Sequence, residues 1–155
     1  MRSKVKIKKN TKNGLRRLEK LGKKFKGVDK VKVGLPNDSN AYPDGTSVIE
    51  VGAIHEFGNP ARGIPQRSFL RSTILENKRS YKRLFVQLSR KIIDGSISKD
   101  DALKILGMTL QNGVTSRITE GIDPPLKSRE GTPLIDTGHL RQSITYEIST
   151  NDSKS

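Results

Sequence analysis

Two short stretches, more than a hundred residues apart, decide how this chain reads: Val28-Asp-Lys-Val-Lys-Val-Gly-Leu35 and Ser143-Ile-Thr-Tyr-Glu-Ile148. In the first, Val31, Val33 and Leu35 fall on one side; in the second, Ile144, Tyr146 and Ile148 do. A period of two sends one face of each stretch toward a core and the other toward water, the pattern of half-buried β-strands. Much of what lies between them repeats with the helical period instead. The expected architecture is α+β, a small and mainly antiparallel sheet flanked by two long helices and a basic N-terminal helix.

The helices follow from spacing and punctuation. Leu15, Leu18 and Leu21/Phe25 recur at helical steps, which predicts a helix over about 11–26 whose apolar stripe packs on the sheet. After a turn-rich loop over 36–45, Thr46 or Ser47 can cap a short helix over Val48–Phe57. Glu50, three residues after Ser47, completes a capping box, and Gly58 ends the helix. Ile74, Tyr81, Phe85, Leu88 and Ile92, widened by Leu75 and Leu84, predict one long helix over about 70–93, stopped by Asp94-Gly95. Ser98 with Asp101 caps a second long helix, carried by Ala102, Ile105/Leu106, Leu110, Val114 and Ile118 to Glu120-Gly121, with Asn112-Gly113 as a soft spot. Asp136 or Thr137 can cap one turn over Gly138–Gln142. The organisation expected is a basic flexible arm over 1–10, one domain over 11–149 and a polar tail over 150–155.

Composition narrows the chemistry. The chain has 155 residues, 32% of them hydrophobic and 5% aromatic, without Trp, so its core is mainly aliphatic. The absence of Cys excludes a disulfide framework, a thiolate nucleophile and the usual structural zinc sites. Apolar runs of a few residues give neither a membrane span nor a signal segment, so a soluble protein made inside the cell is expected.

Charge is distributed unevenly. Residues 1–32 carry fourteen bases against two acids, whereas residues 33–155 carry sixteen bases against fourteen acids. The bases Lys4, Lys6, Lys8, Lys9, Lys12, Arg16, Arg17, Lys20, Lys23 and Lys24 are therefore the expected contacts for a polyanion or an acidic partner. Phe25 is the segment's only aromatic residue, and no DNA-binding signature accompanies the charge.

Catalytic constellations are weak throughout. His55-Glu56 lacks the second His four residues on that a zinc-protease helix needs, and His139 is the only other imidazole. No P-loop occurs. Asp123, Glu130 and Asp136 sit in a proline-marked loop where nothing fixes their spacing for magnesium. The expectation is no enzyme, no cofactor and no metal. More informative is a loop shaped by Gly58, Gly63 and Pro65 that carries Phe57, Ile64, Arg67, Phe69 and Arg71. Aromatics and arginines on rigid turns suit protein interfaces, and the same apolar residues can also plug the core.

Three motifs in order, Ala53-Ile-His-Glu-Phe-Gly58, Ile64-Pro-Gln-Arg-Ser-Phe-Leu-Arg71 and Pro133-Leu-Ile-Asp-Thr-Gly-His-Leu-Arg-Gln-Ser-Ile144, resemble the virion-morphogenesis family of tailed bacteriophages, the Mu protein G type and related neck or tail-completion proteins. The resemblance covers about residues 28–148. Gln66 and Ser68 stand where that family's loop usually has proline, which implies a less rigid loop here. The resemblance implies an α+β structural protein of the virion head–tail junction, present in the host cytoplasm during assembly. It also implies a ring of identical copies, commonly six, that joins the tail tube or its terminator to head-completion or connector proteins.

The expected subunit or partner interface then comprises His55, Glu56, Phe57, Gly58, Ile64, Pro65, Arg67, Phe69, Leu70, Arg71, Asp136, Thr137, Gly138, Leu140 and Ser143. Arg67 or Arg71 of one subunit would face Glu56 or Asp136 of the next. The basic segment would dock on an acidic protein surface or touch genomic DNA in the channel, with no membrane involved. The rival expectation is a small basic nucleic-acid-binding protein, and a more distant one is a metal-dependent nuclease.

Overall fold

The two alternating stretches pair with each other. In the computed structural model, which describes residues 11–25, 29–35, 41–124 and 138–149, β1 (Lys30–Gly34) and β2 (Thr145–Ser149) form an antiparallel ladder. Val31 lies opposite Ile148 and Val33 opposite Tyr146, so the inward face is apolar. On the outward face Lys32 lies opposite Glu147, their charges 3.9 Å apart and well exposed, a contact worth little in water. The mixed α+β class read from the sequence is the class observed, with a sheet of two strands among the described residues.

Helices supply the rest: α1 (Thr11–Lys24), α2 (Val48–Phe57), α3 (Leu70–Glu76), α4 (Lys78–Asp94), α5 (Lys99–Glu120) and the single turn α6 (His139–Gln142). A 3-10 turn over Pro60–Arg62 joins α2 to α3. Helix α5 lies across both strands and also touches α3, α4 and α6, which makes it the spine of the molecule. It comes so close to the sheet that a Cβ built on buried Gly107 would run into the Tyr146 ring. Its start is fixed as expected, with the Ser98 hydroxyl accepting from Asp101 N–H at 3.0 Å.

The buried apolar residues form two clusters. Val48, Phe69, Val114, Ile118, Ile122, Leu140 and Ile144 gather where α2, α3, α6 and the sheet meet the C-terminal half of α5. Phe69 is fully buried at its centre. Leu88, Ile92 and Ala102 form a smaller cluster between α4 and the start of α5. The first cluster holds the loop-bearing end of the molecule; the second holds little more than one helix pair.

Several expectations are corrected. The helix expected over 70–93 is two helices, because the chain turns at Asn77 (φ −94°, ψ 7°). Both the backbone N–H and the side-chain amide of Asn77 donate to the Thr73 carbonyl, at 3.1 and 3.0 Å, closing α3 before α4 begins. An Asn side chain that bonds nearby backbone competes with helix continuation. Ile74 and Leu75 consequently stay exposed, and buried Thr73 faces the core instead, its hydroxyl bonded to the Phe69 carbonyl.

The capping box at Ser47 does not form. Ser47 is the residue before α2, but its hydroxyl caps nothing; it pairs instead across a small bridge with Ala41, beside a turn in which Asp44 accepts from Thr46 N–H. Helix α5 does run through the Asn112-Gly113 soft spot as expected, and the space beside Gly113 is taken by the Tyr81 hydroxyl. The α1 stripe does not pack as expected: the helix lies against α4, and Leu15 and Leu18 are 54% and 65% exposed. The arm over 1–10, the tail over 150–155 and the possible caps Asp136 and Thr137 lie outside the described residues.

Candidate subunit interface

The first two sequence motifs meet at one buried carboxylate. Glu56 sits in the last turn of α2 and is 4% exposed. One of its oxygens accepts from the Ser68 hydroxyl at 2.7 Å, Arg71 N–H at 3.2 Å and Arg71 Nε at 2.9 Å. The other accepts from the N–H groups of Phe69 and Leu70, both at 2.9 Å. The N-terminal N–H groups of a helix have no partner within it, and a carboxylate satisfies both their hydrogen bonding and the positive end of the helix dipole. Glu56 is thus a cap for α3 supplied from another helix.

Main-chain bonds tighten the same joint. The Glu56 carbonyl accepts from Gln66 Nε2 at 3.0 Å and Arg71 Nη2 at 3.1 Å, and the His55 carbonyl accepts from Arg67 N–H at 2.8 Å. Gln66 and Ser68 both hold side-chain bonds here that a proline could not make. Between them and α2, Gly58 at φ 76° lets the backbone pass Gln66 and Ile64, and the Asn59 side chain closes the 3-10 turn on Arg62 N–H. A side chain at Gly58 would be strained and would also press on the Gln66 backbone.

The electrostatics follow from this geometry. Burial pushes the Glu56 carboxyl upward, but the bonds from Ser68, Leu70 and Arg71 outweigh it and hold the group below its ordinary value. Burial, with the Arg67 guanidinium adding to it, lowers His55, so its imidazole is neutral at pH 7. Its Nδ1 is buried with no hydrogen-bond partner among the described residues. Arg67 is itself buried and donates from Nε to the Pro124 carbonyl at 2.8 Å, tying the loop to the segment that follows α5.

What the joint presents outward is a pair. Phe57 is 64% exposed, and the Arg71 guanidinium lies over its ring at 4.8 Å from the centroid. Arg71 is held from below by the carboxylate of Glu56, the residue that precedes Phe57 in α2. His55, Gly58, Ile64, Pro65 and Leu70 are half-buried around it.

The expected interface therefore divides. Glu56, Arg67, Phe69, Gly138, Leu140 and Ser143 are buried within the chain. The ion pair expected between Arg71 of one subunit and Glu56 of the next is corrected: it forms inside one chain, because five donors of the same chain already surround that carboxylate. The turn at α6 is likewise internal. Ser143 Oγ donates to the His139 carbonyl, the His139 ring lies 4.8 Å from that of Tyr42, and Gln111 Nε2 donates to the Ile144 carbonyl. Asp136 and Thr137 lie outside the described residues, so their part in that turn carries no structural statement.

Of the expected polyanion contacts, Arg16, Lys20 and Lys23 are exposed on α1. Lys4, Lys6, Lys8 and Lys9 lie outside the described residues, as do the side chains of Lys12, Arg17 and Lys24. Among the described residues no group of three His, Cys, Asp or Glu is placed to hold a metal, and no helix is long and apolar enough to cross a membrane.

Comparison with protein-family models, curated proteins and solved structures returns no match for this chain.

Proposed function

We propose that this chain is a structural subunit of the bacteriophage head–tail junction, a neck or tail-completion protein that acts by closing a ring of identical copies between the tail tube and the head. The reading rests on the three ordered motifs. The observation that carries it furthest is that Glu56 binds the first motif rigidly to the second and leaves an arginine-backed aromatic, Phe57, standing in solvent. Aromatic and Arg side chains held in one conformation lose little entropy on binding, which is what interface hot spots need. A ring requires two unlike surfaces on each subunit, and this end of the molecule supplies one.

Phe57 is the residue to change, since altering Arg71 would also strip a partner from buried Glu56. Light scattering on the purified chain is expected to give a discrete multimer, and Phe57→Glu to give monomers with an unchanged melting temperature. A multimer of undiminished mass in that variant would refute the role of this face. The rival, a small nucleic-acid-binding protein, predicts a monomer for both chains.

A further inference from the structure

Helix α4 carries six bases, Lys78, Arg79, Lys82, Arg83, Arg90 and Lys91, against one acid, Asp94 at its end. The near balance of the chain beyond residue 32 hides this segregation. Arg79, Arg83 and Arg90 lie on the side of the helix opposite buried Leu88 and Ile92, Lys82 lies on its flank, and all four are exposed. With Val86 and Gln87 they line a shallow groove of about 640 Å³. No carboxylate among the described residues pairs with any of these four bases, and the one side-chain bond they make is Arg83 to Ser80 of the same helix.

The arrangement works against the helix that bears it. Lys78 and Lys82, Arg79 and Lys82, and Arg79 and Arg83 are like-charge neighbours at three- and four-residue spacing, which destabilises a helix. Lys78 and Arg79 also occupy a first turn that has no acid, at the positive end of the helix dipole. A solubilising surface mixes signs and avoids both penalties. A bound polyanion would relieve both.

We infer that the exposed face of α4 is a polyanion site in its own right, in addition to the N-terminal bases, that grips the phosphate backbone of duplex nucleic acid without reading its sequence. Arg79 to Arg90 spans ~16 Å of helix, the axial rise of roughly five phosphates on one strand. Guanidinium groups, three of the four, bind phosphate oxygens in forked pairs. Leu88 and Ile92 are buried against α5, while Phe85, Val86 and Ile93 stay exposed on α4, so an anionic membrane is the rival that the vesicle arm of the test decides. No aromatic side chain lines the groove, so stacking on single-stranded bases has no platform there. Four contacts give a grip that salt releases, and the inference does not depend on ring formation.

The test is fluorescence anisotropy of the full chain on a 30-base-pair DNA duplex over a series of salt concentrations. Replacing all four bases (Arg79→Gln, Lys82→Gln, Arg83→Gln, Arg90→Gln) is expected to flatten the slope of log affinity against log salt by roughly 3 to 4 units. The melting temperature should hold or rise as the self-repulsion goes. Arg79→Lys, Arg83→Lys and Arg90→Lys together should keep the slope. If the fourfold variant folds poorly, the pairs Lys82→Gln/Arg83→Gln and Arg79→Gln/Arg90→Gln should each remove about half of the effect. An unchanged slope in the Gln variants overturns the assignment. So does binding to phosphatidylserine vesicles or polyglutamate as tight as to duplex at the same salt.

Discussion

The two ends of the molecule use the same side chain in opposite ways. At the loop end Arg67 is buried on the Pro124 carbonyl, and Arg71 is fixed between the Glu56 carboxylate and the Phe57 ring. On α4, Arg79, Lys82, Arg83 and Arg90 reach into solvent, and none of them forms an ion pair among the described residues. An arginine whose donors are satisfied within the chain contributes shape and rigidity. One left without an anion contributes field, and with it attraction for whatever brings the anion. The loop end is therefore suited to a fitted protein contact, and the α4 face to a loose, salt-sensitive one.

The contrast breaks most severely at the shared core. Phe69 is fully enclosed where the loop end meets α5, so Phe69→Ala should cost about 3 to 5 kcal/mol in chemical denaturation and release both loop motifs together. Glu56→Gln comes next. An amide keeps one acceptor but turns a second donor toward backbone N–H groups that need an acceptor, for a loss of about 3 kcal/mol at neutral pH.

The pH dependence sharpens that substitution. Because folding lowers the Glu56 carboxyl, its contribution is complete above its ordinary value of 4.5 and disappears as the pH falls through the lower folded value. His55 acts earlier in an acid titration. Below 6.5 the unfolded chain takes a proton that the folded imidazole resists, so stability begins to fall there. Melting temperatures from pH 8 to 3 should decline in two stages, and Glu56→Gln should shrink only the more acidic one, to which Asp44, also lowered by its bond from Thr46, still contributes.

A smaller effect is expected at the sheet. Gly107→Ala places a methyl group against the Tyr146 ring and should cost about 1 to 2 kcal/mol, less than the usual overpacking extreme because alanine favours the helix. Urea denaturation measures it directly.

How far the sequence foretold this contrast depends on whether a signal was periodic. Val31, Val33, Tyr146 and Ile148 declared both strands by alternation, and the stripe of Ala102, Val114 and Ile118 declared α5. The break at Asn77 was hidden because Ile74 and Leu75 prolong the apolar period while facing solvent. The continuity of α5 through Asn112-Gly113 was carried by that helix's own stripe, whereas the Tyr81 hydroxyl beside Gly113 comes from another helix and left no sequence signal.

The outward pair of the candidate interface, Phe57 and Arg71, was legible as an aromatic and an arginine among rigid turns. The inward role of Glu56 was not, since a glutamate is ordinarily exposed and its five donors lie twelve to fifteen residues away. The basic face of α4 also escaped notice, averaged away by acids elsewhere in the chain. A helical projection of residues 78–94 would have shown it.

Electron microscopy of the purified chain tests the central claim most directly. The account predicts closed rings in which the stacked Phe57 and Arg71 of every subunit are covered by its neighbour. Rings that leave this pair in solvent, or a chain that stays single at the concentrations where virion proteins assemble, would contradict it.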